Sequence, residues 1–191
     1  GYTDNIVINI TTIFLIIVSG LGFPVYWEIL FLGRFRRGMG KDSYARKMSL
    51  HARLVLLTTL SLILAGAVLT LLFEYDNPDT LGSMAWPMKI MASLFQSVTL
   101  RTAGFATIPQ EYFRSSSCLV YLLLMFIGGS PAGTAGGVKT VTIVLLIASM
   151  FANIKGRADV SIMHRKIADD IIRRCVAIVT FSFSVLLVLT V

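Results

Sequence analysis

Residues 128–140 read GGSPAGTAGGVKT and interrupt a stretch, 117–151, that is otherwise apolar enough to cross a membrane. In a helix interior, glycine costs roughly 1 kcal/mol and proline about 3 kcal/mol. The stretch is also longer than the roughly 20 residues that one crossing needs. The pattern therefore predicts a broken helix, in which one half ends near Ile127 and the other begins near Val138.

A phosphate-binding P-loop is the competing interpretation of the same letters. Its pattern, GxxxxGK[ST], requires glycine directly before the lysine, but Val138 stands there when the count starts from Gly133. The motif also requires a preceding strand and a soluble nucleotide pocket, and the surrounding sequence predicts neither. The spacing therefore favours the broken helix. Irregular backbone at membrane depth is tolerated where it is buried in protein or lines water.

The rest of the chain has the composition of a membrane protein. Of its 191 residues, 55% are hydrophobic and 14% are charged, and the mean hydropathy is +0.79. Apolar segments over 6–32, about 50–73 and from 171 onward are long enough to span. We therefore predict an all-α polytopic membrane protein. In the first segment, GLGFP at 20–24 suits close helix packing through its glycines and a kink at Pro24.

Charge between the segments predicts their orientation. The loops at 33–49 and 152–170 are rich in Lys and Arg, whereas residues 74–79 are acidic. By the positive-inside rule, the basic loops are cytoplasmic and the acidic one is external. The net charge of +7 does not indicate nucleic acid, because the basic residues lie between apolar runs. Because the chain starts without methionine and ends within an apolar run, we expect it to be an internal fragment.

The external stretch contains a second irregular segment. Residues 88–98 have the composition of a short amphipathic helix with Pro87 in its first turn, and TLRTAGFAT follows at once. A re-entrant loop and an interfacial helix with a surface loop both fit this pattern. Within TAGF, residues 102–105, the glycine suits a backbone whose carbonyls turn inward to replace an ion's water, as in a potassium filter.

Together, SVTLRTAGF at 97–105 and MFIGGSPAGTAGGVKT at 125–140 resemble the Trk/Ktr/HKT superfamily of potassium transporters, and within it the membrane subunits of Ktr systems. Such proteins have four helix–pore-loop–helix repeats in one chain. The resemblance implies that 1–32 is the second transmembrane helix of a preceding repeat and that 50–151 is a complete repeat with pore helix, filter and broken helix. It implies cytoplasmic loops at 33–49 and 152–170, and the first helix of the next repeat at 171–191.

The resemblance also implies site residues. Backbone carbonyls of Thr102, Ala103 and Gly104 would bind potassium, and Phe105 would complete the filter. Arg101 is expected behind the filter, in a hydrogen-bond or ion-pair network, because a cation in the path would repel the substrate. The gate would be an intramembrane loop formed by Gly128, Gly129, Ser130, Pro131, Ala132, Gly133, Thr134, Ala135, Gly136, Gly137 and Lys139.

Two roles for Lys139 are left open by the sequence. It either holds the closed state electrostatically, with or without a carboxylate partner, or only satisfies carbonyls of the loop.

The function expected from this resemblance is potassium uptake across the cell membrane by a multi-pass protein, driven by the membrane potential. Sodium coupling is left open. The implied partners are membrane lipid, a second copy of the subunit and a cytosolic nucleotide-binding regulatory ring. No covalent cofactor and no enzymatic activity are expected, because no paired carboxylates, histidine clusters or Ser/His sets lie in the apolar segments. The alternative is a secondary transporter that binds a solute at the broken helix.

Overall fold

The computed structural model describes residues 5–38, 48–101, 103–156, 159–163 and 165–190. Within these ranges the α-helices are α1 (Ile6–Gly20), α2 (Phe23–Gly38), α3 (Leu50–Glu74), α4 (Trp86–Thr99), α5 (Ser115–Phe126), α6 (Thr140–Ile154) and α7 (Asp169–Thr190). A π-helical turn at Pro78–Gly82 precedes α4, and a 3₁₀ turn at Gln110–Tyr112 follows it. A hairpin of β1 (Ser161–Ile162) and β2 (Arg165–Lys166) separates α6 from α7.

The helical prediction is confirmed, and the helices have the surfaces of a membrane protein. By length and composition, α3 and α7 can each cross a membrane, and α1 with 23–31 would make a third span if the bent pair is counted as one. On α3, a stripe of exposed apolar side chains follows the helical repeat, and the opposite face is buried. That stripe consists of Leu57, Leu60, Leu64, Val68 and Leu72.

The first apolar segment is sharply bent, and the bend is not at the predicted residue. The axes of α1 and 23–31 differ in direction by 96°. The bend lies at Gly22, whose φ is +83°, whereas Pro24 is the second residue of α2. Proline is tolerated there because a first-turn N–H has no helical partner. The helix α2 continues to Gly38, into the predicted loop, and residues 39–47 of that loop lie outside the described residues.

The short helix α4 packs between α3 and α1. Pro87 lies in its first turn as predicted. Gly66 of α3 allows the close approach, because a Cβ there would lie 2.4 Å from Ser97 Oγ, which donates a 2.8 Å hydrogen bond to the Ile63 carbonyl. Most of α4 from Ala92 onward is buried. Burial in protein favours the re-entrant interpretation over a helix lying on the membrane surface.

A buried carboxylate joins the end of α3 to the start of α5. Glu74, predicted as part of an acidic external loop, is fully buried at the end of α3. Its oxygens accept hydrogen bonds from the Asn77 amide at 2.5 Å, the Thr80 hydroxyl at 2.8 Å, the Arg114 backbone N–H at 2.9 Å and the Ser117 hydroxyl. These donors replace the water that a buried carboxylate loses. Glu74 is therefore a structural anchor of this end of the fold.

The predicted loop at 152–170 contains local structure that the sequence did not indicate. β1 and β2 pair antiparallel, with Ser161 opposite Lys166. Lys166 also forms a 2.6 Å ion pair with Asp159, and this carboxylate raises the pKa of Lys166. Both side chains are well exposed, so the pair contributes little to stability. Beyond the hairpin, α7 packs against α6.

Candidate functional site

The end of α4 and the segment after it, residues 102–105, form the first half of the site; we call 102–105 the filter segment. Thr102 lies outside the described residues. The carbonyl of Thr99 accepts hydrogen bonds from the N–H groups of Ala103 at 3.0 Å and Gly104 at 3.1 Å. The hydroxyl of Thr99 donates to the Phe105 carbonyl at 2.7 Å. One threonine therefore binds backbone groups of three residues of the filter segment, Ala103, Gly104 and Phe105.

Gly104 has the backbone conformation expected of a glycine that redirects carbonyls. Its φ is +75°, a left-handed value that costs other residues roughly 1–2 kcal/mol. A Cβ built on it would meet no atom within 4 Å, so conformation alone requires glycine there. Within the described part of the chain, no hydrogen bond reaches the carbonyls of Ala103 and Gly104.

Arg101 lies beside the filter segment and is only 8% exposed. Its Nη2 donates a 3.2 Å hydrogen bond to the carbonyl of Gly128. This hydrogen bond agrees with the expected network, but Arg101 also lines the open cavity of about 630 Å³ beside the filter segment, so the structure does not show that the side chain lies behind the filter. The acceptor, Gly128, lies at the start of the loop between α5 and α6. The sequence did not indicate this contact between Arg101 and the loop.

The second half of the site is the segment between α5 and α6, residues 127–139, which we call the intramembrane loop. It closes on itself at its base, where Ile127 and Val138 form a parallel bridge. The Gly128 N–H donates to the Val138 carbonyl, and the Val138 N–H donates to the Phe126 carbonyl, both at 3.0 Å. These bonds occupy backbone groups that the interrupted helix leaves without partners. The break lies where the glycines and Pro131 predicted it.

Space explains the loop's glycines at this base. A Cβ on Gly128 would lie 1.7 Å from the Gly136 carbonyl oxygen, which no rearrangement of a side chain can relieve. A Cβ on Gly129 would lie 2.4 Å from the methyl carbon of Ala135. The two strands of the loop base therefore approach closer than any residue with a side chain permits.

The tip of the intramembrane loop docks on the bend between α1 and α2. Backbone N–H groups of Ser130 and Thr134 donate to the carbonyls of Gly20 and Ser19 at 3.1 and 3.2 Å. In the opposite direction, the Phe23 N–H donates to the Ala132 carbonyl at 3.2 Å. The Thr134 hydroxyl adds a 3.2 Å bond to Ser19.

Gly22 makes this docking possible. A Cβ on Gly22 would lie 2.4 Å from the Pro131 carbonyl oxygen. The close packing expected from GLGFP is therefore packing of the α1–α2 bend against the intramembrane loop.

Lys139 satisfies the loop itself. Its Nζ donates to the Ala135 carbonyl at 2.7 Å, and no carboxylate pairs with it in the described ranges. Of the two roles left open by the sequence, the geometry supports the one in which the lysine binds carbonyls of the loop.

One open cavity of about 630 Å³ connects the two halves of the site. Ala103 and Phe105 line it from the filter segment, and Thr134 and Ala135 line it from the intramembrane loop. The wall from α1 includes polar side chains on one face of the helix, namely Asn9, Thr12 and Ser19. Such a lining, with a few polar side chains among apolar ones, is typical of a binding cavity.

Sequence reasoning did not single out two contributors to the site, namely Thr99 and the backbone carbonyls of Ser19 and Gly20. Thr99 gave a weak signal, since it stands within the motif that ends in TAGF. Backbone acceptors such as the Ser19 carbonyl leave no signal, because every residue has one.

Comparisons with known proteins agree with this architecture. The profile of the TrkH family, described as a cation transport protein, matches residues 1–191. The chain is 35% identical to the Ktr system potassium uptake protein B of Bacillus subtilis over 98% of its length, and 28% identical to the protein of that name from Vibrio alginolyticus over 97%. It is 32% identical to the potassium/sodium uptake protein NtpJ of Enterococcus hirae over 92%.

These matches cover 40%, 39% and 37% of the three relatives, so the chain spans about two fifths of their length. The family match nevertheless extends over every residue of the chain, including the filter segment and the intramembrane loop. The chain therefore belongs to the TrkH family of cation transport proteins.

Proposed function

We propose that this chain forms part of a potassium uptake pathway in a cell membrane. The observation that carries the proposal is the shared cavity, which the filter segment and the intramembrane loop line from two sides. The carbonyl oxygens of Ala103 and Gly104, which accept no hydrogen bond from the described residues, would replace the hydration shell of potassium. Thr102 would add a third carbonyl. The names of the relatives support potassium as the substrate.

In this proposal the intramembrane loop is the gate. It lines the same cavity as the filter segment and is held by hydrogen bonds to the α1–α2 bend. Because these bonds are few and mostly between backbone groups, each of modest net strength, a small input of free energy would release the loop. An ion leaving the filter segment would then reach the cytoplasmic side.

Further components follow from the relatives. Two of them are named as parts of a Ktr system, which supports a separate regulatory subunit as partner. We assign it the cytosolic side, as a nucleotide-binding ring acting on a homodimer of the membrane subunit. The name of NtpJ includes sodium, which supports sodium as a second or coupled ion.

The test is ion flux through the full-length transporter that carries this sequence, reconstituted in liposomes. Wild type should take up potassium in preference to sodium, and Gly104→Ser should lose most of that preference while remaining assembled. A wild type that does not select potassium would refute the proposed function. A Gly104→Ser variant with unchanged selectivity would remove the filter role. Uptake of an organic solute by both proteins would instead support a carrier that binds solute at the broken helix.

A further inference from the structure

We propose that Arg101 couples the filter segment to the gate, so that movement of the intramembrane loop changes the filter. The proposal rests on the proposed function and assigns Arg101 as a positioning residue. Its backbone is joined directly to the filter segment, and its guanidinium donates to the first glycine of the loop. A single side chain therefore links the two elements that line the cavity.

The burial of Arg101 gives this link its strength. The side chain is 8% exposed, and no carboxylate lies within ion-pair distance in the described ranges. Its Nε has no hydrogen-bond partner among the described residues, so the Gly128 carbonyl is the acceptor that the structure gives the side chain. A buried charged donor that loses its acceptor is costly. If Gly128 moves, the Arg101 side chain therefore has to move with it to keep its hydrogen bond.

The position of Arg101 on its helix also favours the link. It lies two residues beyond the end of α4, where the helix dipole and the final carbonyls favour a cation. Beside it lies a cavity of about 20 Å³ lined by Arg101, Thr59, Gly129 and Ala135. Arg101 also lines the open cavity of about 630 Å³, so the guanidinium has space to change rotamer when the loop moves, which a fully packed side chain would not have.

A static anchor is the competing explanation, in which Arg101 stabilises the filter and has no influence on the gate. The two explanations differ in the behaviour of the loop. If Arg101 couples them, removing the guanidinium should loosen residues 127–139 and lower the dependence of flux on the regulatory subunit. If it is a static anchor, only the filter segment should change.

The experiment compares Arg101→Gln with Arg114→Gln in the full-length transporter. Arg114 is a matched control, because its exposed guanidinium also donates to a backbone carbonyl, that of Phe73, at 3.2 Å. We expect Arg101→Gln to raise potassium flux without the regulatory subunit about tenfold, as loss of one charged hydrogen bond implies. Amide hydrogen exchange over 127–139 should accelerate by a similar factor. Arg114→Gln should change neither.

Exchange and flux in Arg101→Gln equal to those in Arg114→Gln would overturn the coupling. If Arg101→Gln does not assemble, Arg101→Lys decides, because lysine keeps the charge but not the guanidinium fork. If amide hydrogen exchange over 127–139 in Arg101→Lys is about threefold faster than in wild type, the coupling is supported. If its exchange rate equals that of wild type, the coupling is overturned. Hydrogen exchange can be measured without transport, so it tests the coupling alone. The proposed function is tested separately, by the potassium selectivity of the wild type.

Discussion

The filter segment and the intramembrane loop are both irregular, glycine-containing stretches between helices, but their glycines meet different constraints. Gly104 needs a left-handed backbone and has open space around it. Gly128 does not have a left-handed φ. Backbone atoms nevertheless surround it so closely that a Cβ would overlap the Gly136 carbonyl oxygen. The same residue type is required by conformation in one region and by space in the other.

This difference separates what each region tolerates. A methyl group on Gly104 would strain one residue and leave its neighbours in place. A methyl group on Gly128 would force apart two backbone segments that are joined by hydrogen bonds. Substitutions in the filter segment should therefore alter ion selection with little loss of stability, whereas those at the loop base should cost stability first.

Gly128→Ala is the strongest way to break the comparison, and we expect the largest effect from it. The overlap with Gly136 should separate the bridge between Ile127 and Val138 and destabilise the protein by about 3 kcal/mol. Thermal unfolding of the purified full-length transporter measures the loss. Gly20→Ala is the control, because a Cβ on Gly20 meets no atom within 4 Å although its carbonyl holds the loop. Equal melting temperatures for the two variants would contradict the spatial argument.

Gly104→Ala sharpens the comparison when it is paired with Gly156→Ala. Both glycines have a left-handed φ, +75° and +63°, and neither has an atom within 4 Å of a built Cβ. Each alanine should cost about 1–2 kcal/mol locally and leave the fold assembled. Only Gly104→Ala should lower the potassium-over-sodium flux ratio, by about tenfold. A similar loss of selectivity in Gly156→Ala would show that general destabilisation is the cause.

Ala132→Gly should have the smallest effect, with the opposite sign. Ala132 has φ +59° while its carbonyl holds the Phe23 N–H, so the docked loop contains left-handed strain at a residue with a side chain. Glycine should relieve about 1 kcal/mol, favour docking and reduce flux without the regulatory subunit about threefold. Ala135→Gly, at an alanine without positive φ, is the control and should not reduce flux. Higher flux in Ala132→Gly would contradict a gating role for the docked loop.

The sequence predicted those features that depend on local composition. The break between α5 and α6 follows from glycine and proline in an apolar run, and the start of α4 follows from Pro87 ahead of an amphipathic stretch. The bend in the first segment was assigned to Pro24, but it lies at Gly22. A proline near a helix start and a glycine at a bend both disrupt a helical pattern, and only the three-dimensional path of the chain distinguishes them.

Contacts between distant segments were outside the reach of the sequence. Glu74 was predicted as part of an acidic external loop. In the structure it is buried, and one of its hydrogen-bond donors is the N–H of Arg114, 40 residues later in the chain. Arg101 was expected in a network, and the acceptor at Gly128 is 27 residues away. Such pairings depend on how the helices pack, because a backbone carbonyl is chemically the same at every position.

Composition and pattern by themselves therefore determined that this protein is helical, that it has the character of a membrane protein and that its helices are interrupted at 102–105 and 127–139. These properties follow from the free energies of placing apolar, glycine and proline residues in helices and lipid. Only the tertiary structure decided that the intramembrane loop docks on Ser19 and Gly20 and that Arg101 reaches Gly128. Docking needs backbone groups from separate helices at hydrogen-bond distance, and packing of the whole chain sets that distance.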